Sequence, residues 1–158
     1  MTHPLEINVP VDTLAMEFTR EFDAPVAAVF RAHAEPELVT QWLGPARNAM
    51  EIERWDFCNG GGYRYVHRGP GTEGDAWFNG VFHTVRDNEF VIQTFEFEGA
   101  PDMVNIEFLT FEDLGGRTRL RGRSICPNVA ARDALLASGM EHGMREGYQR
   151  LDTLLKAL

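Results

Sequence analysis

The side chains of this chain that could pass a proton to and from a bound molecule are Glu51, Glu53, Asp75, His67, His83, Glu107 and Tyr148. General acid–base chemistry needs two such groups within ~3 Å of one reacting atom, in a pocket that tunes them. The pattern around the glutamates reads as carboxylates on a solvated outer sheet face, so no catalytic residue is assigned. Nucleophilic chemistry has no G-x-S-x-G turn and no cysteine with an identifiable base. His3, His33, His67, His83 and His142 form no H-x-x-x-H pattern, and Cys58 and Cys126 are not at ligand spacing, so no metal and no cofactor are expected. Gly60-Gly61-Gly62 and Gly69-Pro70-Gly71 lack the Lys-Ser/Thr ending and following helix of a phosphate loop and read as tight turns.

What remains is binding chemistry. Trp42, Tyr63, Tyr65, Phe82, Phe95 and Phe97 are aromatic positions of which alternation turns about half to one inner face. Tyr63 and Tyr65 share a face with His67, and Phe95 and Phe97 share one opposite Glu96 and Glu98. Near the C-terminus Met140, Gly143, Met144 and Tyr148 form a stripe at helical spacing, with flexible thioethers suited to an adaptable apolar pocket. For each residue singly, ordinary core packing is the competing reading. Gly139, Gly143 and Gly147 lie four apart on nearly one helical face, where each costs about 1 kcal/mol relative to alanine. Such a face needs close approach of another surface, or space kept for a ligand. Gly143 and Gly147 fall within the apolar stripe; Gly139 sits at its edge and suits a bend after Ser138.

These groups need elements to hold them. Leu14–Phe22 alternates as a half-buried strand, with Arg20 on its apolar side. An arginine there either holds an anionic ligand group or pairs with an acidic side chain. Pro25 opens a short helix and Pro36 a second, which Gly44-Pro45 ends. Strands are expected at 50–57, 62–68, 75–85, 90–98, 103–112 and 117–125, separated by short Gly-, Asn- and Pro-rich turns that favour an antiparallel meander. Asn128 is a good cap for one last helix running to about Leu158, roughly 40 Å long. The simplest arrangement is α+β: a seven-stranded antiparallel sheet curling around one long helix, with two short helices after the first strand. Residues 1–13 read as an extension and 14–158 as one domain. Leu5, Ile7, Val9 and Val11 could add an edge strand to this subunit or to a partner, making a homodimer possible.

The charge of −9 argues against nucleic acid or anionic membrane as a partner. No apolar run reaches the ~20 residues of a membrane helix, and the first dozen residues lack the pattern of a secretory signal, so the cytoplasm is the expected location.

Three segments carry a resemblance: REFDAPVAAVFRAHAEPELVTQWLGP at Arg20–Pro45, GGGYRYVHRGP at Gly60–Pro70 and GMEHGMREGYQRLDTLL at Gly139–Leu155. Together the chain resembles the SRPBCC superfamily, which includes START-type lipid-binding domains. It is most similar to the branch named for activators of the heat-shock protein 90 ATPase. The resemblance implies a helix-grip fold with a cavity between sheet and last helix. It also implies a small hydrophobic or aromatic ligand there. Aromatase/cyclase activity on a polyketide-like substrate and a chaperone-regulating module are the alternatives. An arginine recurs in this family at the place of Arg20, which favours a structural role. Tryptophan is frequent where this chain has Tyr148, whose hydroxyl needs a partner if buried.

Overall fold

The computed structural model describes residues 3–46, 48–69 and 74–158, so Pro70 and Gly71 of the expected Gly69-Pro70-Gly71 turn lie outside the described residues. In chain order the elements are β1 (Glu6–Asn8), β2 (Ala15–Phe22), α1 (Val26–Ala34), α2 (Pro36–Val39) and β3 (Ala49–Trp55). There follow β4 (Gly62–Arg68), β5 (Ala76–Arg86), β6 (Phe90–Phe97), β7 (Asn105–Asp113), β8 (Thr118–Ile125), α3 (Val129–Ala137) and α4 (Met140–Leu155). All strands pair antiparallel in one sheet ordered β1-β2-β8-β7-β6-β5-β4-β3. The meander β3 to β8 follows from the short turns; Asn88, Gly115 and Gly116 take the positive φ those turns require.

Two expectations need correction. The sheet has eight strands, not seven, because the N-terminal extension contributes β1, which pairs with β2 of its own subunit through Ile7↔Phe18. Leu5, just before β1, is buried in the core. The last helix is not continuous. Asn128 caps α3 as expected, accepting from the Ala131 amide, but Gly139 adopts a left-handed φ of 80° and separates α3 from α4. Only glycine takes that conformation cheaply. The gripped element is therefore α4, 16 residues and about 24 Å long.

The inner face of the sheet is fixed by register. Arg20, Phe22, Leu120 and Phe111 lie side by side across β2, β8 and β7, and Tyr63 and Tyr65 stand opposite Gly80 and Phe78. These side chains, with Phe82 and Val91, meet Tyr148, Leu151 and Leu155 of α4 and Val29 and Phe30 of α1 to form one core.

Candidate functional site

The helix α4 is seated on the turn that follows α2. A Cβ on Gly147 would lie 2.9 Å from the Trp42 carbonyl oxygen, and one on Gly143 would touch Pro45 at 3.5 Å. Arg150 donates to the Gly44 carbonyl and the Ala46 amide donates to Glu146. Gly44 itself has a φ of +85° and leaves room for the His67 ring, which a Cβ would meet at 2.4 Å. Gly147 thus serves close approach of backbone to backbone, Gly143 has room for a side-chain carbon, and Gly139 serves the break between α3 and α4.

Beyond that seat the helix does not fully cover the middle of the sheet. Phe78, Gln93, Phe95, Glu107 and Leu109 are inward by register yet only half-buried, as is Met144 on α4. Their incomplete burial marks the space between this part of the sheet and α4 as the candidate recess. Two shallow concavities lie elsewhere: about 230 Å³ beside Leu5, Arg20 and Gln149, and about 290 Å³ on the outer face at Phe108 and Arg121.

Most of the recess wall is carbon, but a polar row crosses it. Ser124, Glu107 and Gln93 are direct cross-strand neighbours on β8, β7 and β6. Gln93 Nε2 donates to Glu107 Oε1 at 3.0 Å. The Ser124 hydroxyl is buried without a hydrogen-bond partner among the described residues. Burial pushes the Glu107 pKa up to about 7, with the Gln93 bond pulling the other way. Burial raises the pKa values of Tyr63, Tyr65 and Tyr148, and the Glu107 charge raises each further. Tyr63 donates to the Thr94 carbonyl at 2.6 Å, whereas the Tyr65 and Tyr148 hydroxyls have no partner among the described residues.

This carboxyl makes stability depend on pH. Near pH 4 it is protonated in both the folded and the unfolded chain. As pH rises toward 7 the unfolded chain releases the proton and the folded chain keeps it, so stability falls across this window and levels off above it. Glu107→Gln is therefore expected to leave the melting temperature unchanged near pH 4. At pH 8 it raises stability by on the order of 2 kcal/mol, or about 4–8 °C. An equal shift at both pH values in calorimetry would show that the carboxyl does not titrate in this range. His33, buried and held down to about 4, loses stability in the opposite sense as pH falls, but it is common to both proteins and cancels.

The expected ligand-lining residues divide. Tyr65 stacks on Phe78 (5.2 Å between centroids) and Phe78 on Phe95 (5.3 Å), forming an aromatic wall. Phe97 continues it at the rim, 40% exposed. Met144 and Tyr148 face the sheet from α4, and Met140 is half-buried at the helix start. Trp42, Phe82 and Gly143 are packing positions. Trp42 stacks on Tyr148, abuts His33 and donates to the Ala32 carbonyl at 2.9 Å. Phe82 is wholly buried among Trp55, Phe57 and Tyr63.

Among the acid–base candidates, Glu51 and Glu53 do lie outside, paired with Arg68 and Arg64. Asp75 pairs with Arg68, and His83 is exposed on the outer face. Glu107 departs from its expected place on the outer face: register turns it inward. The signal was present in Ile106-Glu107-Phe108-Leu109, where alternation is ambiguous because apolar residues flank both faces. Gln93 and Ser124 gave no signal of their own. Among the described residues no cluster of His, Cys, Asp and Glu is arranged to hold a metal ion, and no helix is long and apolar enough to cross a membrane. Cys58 and Cys126 are free thiols.

The profile of the family described as Activator of Hsp90 ATPase homolog 1-like protein matches residues 23–156. Among solved structures, one from Rhodobacter sphaeroides superposes with a TM-score of 0.88 at 26% identity, covering 98% of this chain and 100% of its own. One from Mycobacterium smegmatis gives 0.88 at 24%, covering 98% and 99%. CalU16 from Micromonospora echinospora shares the fold at 14% identity, with a TM-score of 0.65 over 98% and 87% of the two chains. No curated protein matches the chain.

Proposed function

Because this chain belongs to the Activator of Hsp90 ATPase homolog 1-like family, with the SRPBCC helix-grip fold, we propose that it binds a small, largely apolar or aromatic molecule between the sheet and α4. The observation that carries the reading is the inward polar row Ser124–Glu107–Gln93, flanked by the apolar Phe78, Phe95 and Leu109. A core built for stability alone has no use for a carboxyl whose charge is costly and a serine hydroxyl left unpaired. Apolar walls with a few convergent polar groups are what a small-molecule site needs. The Tyr65–Phe78–Phe95 wall supplies flat surface for an aromatic ring, and Met144 supplies a deformable one.

Ligands that bind only the native state raise its stability, by about 2.7 kcal/mol at a hundredfold excess over Kd. For a domain of this size that is a shift of about 5–10 °C. A thermal-shift screen of phenols, aromatic ketones, sterols and fatty acids is expected to give such a shift for at least one class. No shift for any, together with no co-purifying small molecule by mass spectrometry, rejects the reading.

A cyclase- or aromatase-type enzyme is the second reading, supported by an inward carboxyl titrating near 7 whose charge acts on the Tyr65 and Tyr148 phenols. A chaperone-regulating role rests on the family description and on no feature of the recess.

A further inference from the structure

The polar row says in which form the carboxyl meets a ligand. Glu107 receives one hydrogen bond, from Gln93, and its other oxygen is left for whatever enters the recess. The titratable groups whose ionisation its charge opposes are the phenols Tyr63 and Tyr65 on β4, Tyr148 on α4 and the Cys126 thiol just past β8. None of these carries a positive charge. The inward cation on β2, Arg20, is held by both carboxylate oxygens of Asp152 on α4, at 3.0 and 2.5 Å, and by the Glu21 carbonyl. Farther off, Arg150 of α4 donates to the Gly44 carbonyl; burial, and secondarily the Arg150 charge, lowers the pKa of His67 on β4, while burial keeps His33 of α1 neutral. Arg132 of α3 is bound to the Thr13 carbonyl and Asp133.

We propose that Glu107 engages the ligand as the neutral acid, donating its proton to an acceptor oxygen, so that the recess takes uncharged carbonyl- or phenol-bearing molecules and rejects carboxylates. The inference rests on the recess being the binding site. A ligand carbonyl placed at the free Glu107 oxygen receives a hydrogen bond from the acid, beside the cross-strand Ser124, whose hydroxyl lacks a partner among the described residues. Among the described residues no uncommitted cation is placed with Glu107, so an incoming carboxylate must share a proton with it or repel its charge, as any two carboxylates in one site must. Fatty-acid anions are thereby excluded on charge although the walls would accept their chains. The carboxyl's titration near 7 places the change from acceptance to rejection within the physiological range.

The test uses 2-acetylnaphthalene, which does not titrate, and 2-naphthoate, which is ionised throughout, in fluorescence titrations from pH 6 to pH 8. The neutral fraction of a group titrating near 7 falls from about 0.9 to about 0.1 over that range, so the Kd of 2-acetylnaphthalene is expected to rise about tenfold. In Glu107→Gln the amide donates at every pH, and the affinity is expected to stay flat at its pH 6 value. 2-Naphthoate is expected to bind at least about tenfold more weakly than the ketone at pH 6. A ketone that binds wild type with a pH-independent Kd overturns the inference while leaving the recess as a binding site, as does naphthoate binding as tightly as the ketone. Failure of both probes at every pH removes the recess as their site and the inference with it. Should Glu107→Gln not fold, the wild-type pH profile and the ketone–naphthoate comparison decide alone.

Discussion

Gly147→Leu is expected to cost about 3 kcal/mol or more and to lower the melting temperature by about 6–12 °C. A Cβ at this position already lies 2.9 Å from the Trp42 carbonyl oxygen and 3.4 Å from the Gly44 amide nitrogen, and both are backbone atoms that cannot swing aside. Leucine adds three more carbons to that contact. Relief requires α4 to lift from the turn, which separates Tyr148 from Trp42, breaks the Arg150 bond to Gly44 and draws Leu151 from the core. Differential scanning calorimetry reads the loss. A variant that keeps its melting temperature and merely fails to bind small molecules would mean that Gly147 borders open space, against the geometry. Gly143→Ala is the contrasting control: its Cβ meets Pro45 at 3.5 Å, an ordinary contact, and a stabler helix is expected.

Asp152→Ala is expected to cost about 3–5 kcal/mol, the usual result of stripping the partner from a buried charge. Arg20 is 2% exposed and cannot lose its proton, so the substitution leaves a guanidinium in the core with the Glu21 carbonyl as its remaining acceptor. Arg20→Met is expected to cost less, because Asp152 keeps 22% of its surface and can turn to water. Arg20→Met combined with Asp152→Leu is expected to recover most of the loss, since an apolar pair of similar volume carries no desolvation penalty. Equal costs for the two single variants in urea unfolding would contradict this asymmetry. Arg20 is thus a clamp between β2 and α4, and its donors are not free for a ligand.

The pairing of Arg20 shows how far a pattern reaches. Alternation in Leu14–Phe22 turned this arginine inward, and an acidic partner was one of two open readings. Asp152 itself lies 132 positions away, and no local rule selects it from the other acidic residues of α4. The break at Gly139 has the opposite lesson. The glycine was visible at the stripe's edge, but only its φ of 80° shows that it divides the helix rather than bending it. The edge strand β1 was legible as alternation at Leu5 to Val11, and the choice of its own β2 over a partner's was decided by pairing.

Sequence by itself determined the strands β2 to β8, the two short helices, their order and the antiparallel meander, because hydrophobic period, caps and turn residues are local properties. Every strand from β2 to β8 ends within two residues of where those signals put it. It also determined the family, through segments spread along nearly the whole chain. Tertiary structure alone decided which aromatics are sealed in the core and which stay partly exposed, since Phe82 and Phe97 are alike in type and one is wholly buried while the other is 40% exposed. It alone placed Ser124, Glu107 and Gln93 in one row, because cross-strand neighbours are set by register between segments far apart in the chain. Glu107 looked like any outer carboxylate until that register put it inside, where loss of solvent turns an ordinary acid into one that holds its proton near neutral pH.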